Sequence, residues 1–134
     1  MDFFTIVRPE HLNHHGFLFG GVLLKWVDEY AWIAASREYS GCTLVTVAMD
    51  DIQFKERVLN GSILRFDIRH FRRGNTSVRY TVEVFSDEPG ATVEKKVFLT
   101  VVTFVRVDGE GHKIPLPEKT GWSSVPPENP RGPQ

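Results

Sequence analysis

Val22-Leu23-Leu24-Lys25-Trp26-Val27-Asp28-Glu29-Tyr30-Ala31-Trp32-Ile33-Ala34-Ala35-Ser36-Arg37-Glu38-Tyr39 contains neither glycine nor proline and reads as a helix of about five turns. Only Lys25, Glu29 and Ser36 align as a polar stripe at helical spacing; the rest is apolar nearly all round. A helix of that kind is wrapped by other structure instead of lying on a surface. The residues after it supply the wrapping. Leu64, Phe66 and Ile68 alternate with Arg65, Asp67 and Arg69, and Val78, Tyr80, Val82 and Val84 alternate with Ser77, Arg79, Thr81 and Glu83. Period-two runs of this kind are half-buried strands. The segments Leu44–Phe54 and Val97–Val107 are apolar on both faces in places, as central or interface strands are.

Turn chemistry separates these runs: Asn60-Gly61, Gly74-Asn75, Pro89-Gly90 and Asp108-Gly109. With an early strand near Phe3–Arg8, the order is strand, long helix, then four strands joined by short antiparallel connections. The fold class expected is therefore α+β, a curved antiparallel β-sheet wrapped around one long central helix. Such a sheet leaves an edge strand and an exposed apolar face, so an edge-to-edge homodimer is expected.

The chain of 134 residues suits one domain. No internal repeat is found. From Ile114 onward the prolines at 115, 117, 126, 127, 130 and 133 rule out helix and ladder. The expected division is a folded domain over residues 1–113 and a proline-rich tail, extended or disordered, over 114–134, in which Trp122 is the one firm anchor. Sixteen Lys and Arg oppose seventeen Asp and Glu, for a formal charge of −1. That balance offers no bulk attraction for nucleic acid or an anionic membrane. No apolar run approaches the roughly 18–20 residues of a membrane span, and the run Met1–Thr5 has no signal-peptide pattern. The single Cys42 cannot pair within the chain, which favours a reducing compartment and a cytoplasmic location. Cys42 follows Gly41 at the negative end of the helix dipole, where a thiolate is disfavoured, so packing suits it better than nucleophilic work.

Chemistry concentrates where the loop Asn13-His14-His15-Gly16-Phe17-Leu18-Phe19-Gly20-Gly21 becomes the helix. Two glycines there let a ligand approach backbone N–H groups that the first turn leaves unpaired, at the positive end of the helix dipole. That is a place for a carbonyl oxygen gaining negative charge; a tight junction that merely needs small residues fits as well. Asp28 has Leu24, Ala31 and Trp32 as helical neighbours, so its carboxylate is either at work or paired with Lys25 at i−3. His11, His14 and His15 cluster nearby, but no second group of ligands matches a zinc site, and no metal is expected. Lining of the site mouth suits them better. Arg65, Arg69, Arg72, Arg73 and Arg79 form a basic region across two strands, and the Trp26 and Trp32 pair reads as core.

The run Asn13, Gly16, Phe19, Gly20, Gly21 and Asp28 resembles the signature of the hotdog-fold acyl-CoA thioesterases, in their acyl-CoA hydrolase branch. The likeness continues through Val45-Thr46-Val47, Ile52-Gln53-Phe54, Val58, Gly61, Gly74 and Thr76-Ser77, about residues 1–108 in all. The resemblance implies hydrolysis of an acyl-CoA thioester to a free acid and CoA, with no cofactor. Asp28 would act as general base on water, or as nucleophile through a mixed anhydride. Asn13 would orient the water or thioester, the N–H of Gly21, with that of Gly20, would polarise the carbonyl, and Thr46 would lie near the reacting centre. Arg73, Gly74, Thr76 and Ser77 would lie near the CoA phosphates or pantetheine. In members of this family the asparagine and aspartate of one site come from opposite subunits, and the dimers build tetramers and hexamers.

Two departures stand out. Close members carry Gly-Arg-Thr-Ser where this chain has Gly74-Asn75-Thr76-Ser77, leaving Arg72 and Arg73 to supply a cation. A family motif Phe-x-x-Pro-Val-x-x-Gly-Asp stands here as Phe54, Arg57, Val58, Gly61 and Ser62, with Pro and Asp both replaced; the expected effect is on a turn. A second reading is a non-catalytic module that binds acyl-CoA as a sensor or scaffold, although a pure binder needs neither Asn13 nor Asp28. A hotdog dehydratase or hydratase would need a His-carboxylate pair at a different spacing, which is not found. Acyl length would depend on pocket residues such as Leu23, Val27 and Tyr30.

Overall fold

The computed structural model describes residues 1–118. Strand β1 (Asp2–Ile6) leads through a short 3-10 turn (Pro9–His11) into helix α1 (Gly20–Glu38). Strands β2 (Thr43–Phe54), β3 (Ile63–Arg73), β4 (Ser77–Asp87) and β5 (Lys95–Val107) follow and, with β1, form one sheet in the order β1-β3-β4-β5-β2. Every pairing is antiparallel. This is the architecture expected from the periodicities, one helix held in a curved antiparallel sheet.

The helix begins two residues earlier than the glycine-free stretch, with Phe19 as its extended N-cap. Gly20 and Gly21 are tolerated because a first turn has no interior hydrogen bonds to lose. Leu23, Val27, Ala31, Ala34 and Ala35 are its buried face. The three alanines let the helix lie close to the sheet, whose inward residues Leu64, Phe66, Val78, Tyr80, Val82, Val84, Val102 and Phe104 are all fully enclosed. Burial pushes the Tyr80 phenol far up, with the Glu38 carboxylate a lesser cause, so it stays neutral. Phe66 is central: the Tyr30 ring meets it edge-on at 4.9 Å and that of Trp26 at 6.4 Å. Replacing Phe66 by alanine should cost about 3–5 kcal/mol through the cavity it opens beneath α1, read as a lower urea midpoint at unchanged m-value.

Among the described residues strand β2 is paired on one side only, by β5, and its other edge is open. Val45, Val47, Ile52 and Phe54 are exposed along it. Its ladder to β5 shifts register between Thr46 and Ala48 and again between Asp50 and Gln53, and Asp51 in the second irregularity has φ 53°. The two tryptophans part company. Trp26 packs partly buried against the core, whereas Trp32 is 45% exposed, with its indole N–H donating to the Leu44 carbonyl at 3.0 Å. Sheet covers the helix on one side only, so a helix apolar all round keeps an uncovered face within a single chain.

Beyond β5 the chain runs without regular structure from Ile114, yet Leu116 is buried and belongs to the core cluster. The remainder of the proline-rich tail, with Trp122, lies outside the described residues. No helix among the described residues is long and apolar enough to cross a membrane.

Candidate active site

The loop before α1 is built around Asn13. Its side-chain oxygen accepts the backbone N–H groups of His15 at 2.9 Å and Phe17 at 3.2 Å, and its own N–H donates to the Phe17 carbonyl at 2.7 Å. Gly16 closes this turn at φ 83°, a conformation that suits glycine. With the oxygen spent on the loop, the Nδ2 hydrogens are what Asn13 offers to anything outside. Neighbouring backbone ties hold the loop down: Leu18 N–H donates to the Val58 carbonyl and Phe19 N–H to that of His11, both at 2.9 Å. His11 serves the same loop. Its Nδ1 accepts the Arg8 N–H at 2.9 Å, and its ring meets the edge of Trp26.

The first hydrogen bonds of α1 run from Val22 and Leu23 N–H to the Phe19 carbonyl. The amides of Gly20 and Gly21 thus precede the ladder and have no helical acceptor. A Cβ on Gly21 would come within 2.7 Å of the Phe19 ring, so the close approach of that ring needs glycine. Beside Gly20 opens a cavity of about 300 Å³ with buried Leu18, Leu23 and Val58 as its floor and the exposed Phe54 at its side. Of the residues expected to set acyl length, Leu23 lines this cavity, Val27 is fully enclosed in the core, and Tyr30 stacks on Phe3 at 5.0 Å.

Further along α1, Asp28 is half-buried, and its Oδ1 accepts the Thr46 hydroxyl of β2 at 2.6 Å. The two open readings of this carboxylate separate here. Its partner is Thr46 across the helix–strand gap, and among the described residues no ion pair joins it to Lys25. One hydroxyl leaves a carboxylate with most of its acceptor capacity free. Within one chain, Asp28 and Thr46 form one group and Asn13, Gly20 and Gly21 another, with no hydrogen bond between them among the described residues.

The β3–β4 turn carrying Gly74, Thr76 and Ser77 lies elsewhere. Arg73 next to it touches the Tyr39 ring (5.6 Å from guanidinium carbon to ring centre), at the opposite end of α1 from Gly20. Its guanidinium donates to the carbonyls of Pro117 at 2.6 Å, Leu116 at 3.1 Å and Gly74 at 3.3 Å. Arg106 adds a bond to the Pro115 carbonyl, and Leu116 N–H donates to the Asn75 carbonyl at 2.8 Å. The two arginines clasp residues 115–117 onto the turn. Arg73→Ala should therefore loosen this segment, costing about 1 kcal/mol for charge-assisted bonds at an exposed site. Faster hydrogen exchange at the Leu116 amide, with exchange in β4 unchanged, would report it.

Most of the remaining basic region is neutralised. Arg65 holds Glu94 in a two-pronged contact at 2.9–3.2 Å, which keeps that carboxyl below the usual range. Arg69 pairs with Asp67, and Arg79 with Asp50 at 3.5 Å. Arg72 is exposed and has only the Phe71 ring beside it among the contacts described. Lys55, together with Arg57, which the sequence offered only as the replacement of a motif proline, lines the cavity at Gly20. A basic residue on each side of Glu56, just after an exposed Phe54, was the only other signal for them.

The family model of the thioesterase superfamily matches residues 15–93. Acyl-coenzyme A thioesterase 11 of Mus musculus is 35% identical over 100 residues, covering 75% of this chain and 17% of that protein. The chain spans less than a third of the length of the mammalian relatives it matches. A hexameric hotdog fold thioesterase of Campylobacter jejuni superposes with TM-score 0.77 at 36% identity, over 86% of this chain and 88% of that one. An acyl-CoA hydrolase of Staphylococcus aureus, solved with butyryl coenzyme A and coenzyme A, superposes with TM-score 0.79 at 29% identity, over 88% of this chain and 71% of that one. Solved variants of that hydrolase replace an asparagine, an aspartate or a threonine by alanine. The chain belongs to the thioesterase superfamily, and its fold is the hotdog fold.

Proposed function

We propose that this chain hydrolyses an acyl-CoA thioester to a free carboxylic acid and CoA, in the cytoplasm, with a homodimer as the working unit. The observation that carries the reading is the Asp28 carboxylate, set by the Thr46 hydroxyl at 2.6 Å in a helix whose first glycine amides are unpaired beside a cavity. Asp28 takes a proton from water as the water attacks the thioester carbon. The amides of Gly21 and Gly20 receive the negative charge that develops on the carbonyl oxygen. Collapse of the tetrahedral adduct breaks the C–S bond, and the proton held on Asp28 passes to the departing sulfur, releasing CoA and restoring the carboxylate. Asn13, through Nδ2, orients the water or the thioester. The asparagine and aspartate replaced in the S. aureus variants are separated by the same number of residues as Asn13 and Asp28, which supports these two roles.

The dimer rests on the open apolar edge of β2 and on distance. A helix of 19 residues is about 28 Å long, so the turn Gly74–Ser77 and the glycine amides of one chain lie roughly a helix length apart. A partner paired antiparallel along β2 would bring its own turn toward the first chain's glycines. Gly74, Thr76 and Ser77, with Arg72 and Arg73 beside them, then face the CoA moiety from the second chain. The free thiol Cys42 suits a reducing compartment.

A panel of acyl-CoA thioesters of different acyl groups, followed by a thiol-detecting reagent, tests the reaction. Release of CoA from at least one is the expected result. Binding without release from any would replace hydrolysis by a sensing or scaffolding role.

A further inference from the structure

We infer that the cavity at the start of α1 selects acyl groups that themselves carry a carboxylate, with Arg57 and Lys55 as the side chains that recognise it. The inference rests on the thioesterase reading and names a substrate class for the same site. The cavity has an apolar floor and a charged rim of Lys55, Glu56 and Arg57. Glu56 offsets only part of that rim, because its carboxylate is turned to Lys95 of β5 at 3.1 Å, a cation it shares with Glu88. Neither Lys55 nor Arg57 has a carboxylate within ion-pair distance among the described residues. Lys55, Arg57 and Lys95 against Glu56 and Glu88 leave one net positive charge (three minus two) at the mouth of a pocket that already adjoins the positive end of a helix.

Their positions are built into the fold. Lys55 N–H donates to the Val97 carbonyl at 2.8 Å, and on the other side Leu18 N–H donates to that of Val58. The Arg57 guanidinium lies over the Phe17 ring at 4.6 Å, which supports its face and leaves its N–H edges to form a fork for a carboxylate. Phe17 also belongs to the loop that holds Asn13, so this cation sits between the proposed water-orienting loop and the pocket. A methyl-ended acyl chain would make no use of either charge.

Size argues for the acyl group over the other anions of the substrate. At about 300 Å³ the cavity is at the small end of ligand pockets, enough for a short acyl chain and its terminal carboxylate. The phosphates of CoA lie at the far end of the pantetheine arm, beyond its reach when the carbonyl rests at Gly20.

The test compares ω-carboxyacyl-CoA with methyl-ended acyl-CoA of equal chain length, on wild type, Arg57→Ala, Arg57→Lys and Lys55→Ala. Wild type is expected to favour the carboxylated substrate in kcat/KM by at least ~10-fold, the scale of one charge-assisted contact. Arg57→Ala should erase most of that ratio, and Arg57→Lys should keep part of it as a point charge without the fork. Equal kcat/KM for the two substrates in wild type would overturn the inference. So would a variant that depresses both substrates alike, since the cations would then serve CoA or the fold. Calorimetric binding of the matching non-hydrolysable thioethers reads the same preference independently of turnover. A carboxylate preference in binding without hydrolysis would sink the hydrolase reading and leave the recognition standing; absence of any preference there would sink the recognition alone.

Discussion

Asp28→Asn is expected to lower acyl-CoA turnover by at least about 10²-fold, the scale of removing a general base. The amide has the shape of the carboxylate, and its oxygen can still accept the Thr46 hydroxyl now seen at 2.6 Å. The contact between α1 and β2 therefore survives, and thermal unfolding should stay close to wild type. Basicity is what disappears, because a neutral amide cannot take a proton from water. KM should move little, since Asp28 faces the attacking water and makes no binding contact with CoA in this scheme. Turnover unchanged in a folded Asp28→Asn protein would remove Asp28 from the chemistry and leave its pairing with Thr46 as a packing feature.

The second large effect is a recovery. Asn13→Ala and Asp28→Asn proteins, each nearly inactive alone, should regain about a quarter of wild-type activity when co-refolded in equal amounts, by the statistics of a two-fold dimer. Half of the dimers are then mixed, and each mixed dimer has one site with both groups intact if the asparagine and aspartate of a site come from different chains. The geometry within one chain favours that outcome. Asn13 is tied into its own loop by four hydrogen bonds, whereas Asp28 is joined to Thr46, and no hydrogen bond bridges the two among the described residues. The exposed Val45, Val47, Ile52 and Phe54 on the free edge of β2 provide the surface for pairing. If the mixture stays as inactive as its components while size-exclusion chromatography shows dimers, both groups of a site lie in one chain.

Much of this molecule was legible in linear order. Alternation with period two placed Leu64, Phe66, Ile68, Val78, Tyr80, Val82 and Val84 on one sheet face, and all of them are buried. The helix followed from its unbroken apolar run, whereas the sheet of one chain buries only its Leu23, Val27, Ala31, Ala34 and Ala35 face. These are local properties: strand and helix repeats are written in neighbouring residues, and burial then selects the apolar side. The glycine pair and Asp28 were also visible, since a carboxylate among apolar helical neighbours and glycines at a helix start stand out without any fold.

Other features depended on residues far apart in sequence. Whether Asp28 answers to Lys25 or Thr46 turns on where β2 passes the helix, which the pairing of Thr46 with Phe104 of β5 helps to set. Arg73, expected near the CoA phosphates or pantetheine, also donates to backbone carbonyls of residues 74, 116 and 117, because Leu116 folds back into the core and draws its segment across the turn. Little in its neighbourhood marked Lys55, and Arg57 stood only in the place of a motif proline; the bond of Lys55 N–H to Val97 and the packing of Arg57 on Phe17 bring the two beside Gly20. Periodicity and composition thus settled the elements and the inward faces, because those follow from near neighbours. Side-chain pairing, the clasp and the charged cavity were settled by strand register and chain return, which bring together groups that no local spacing relates.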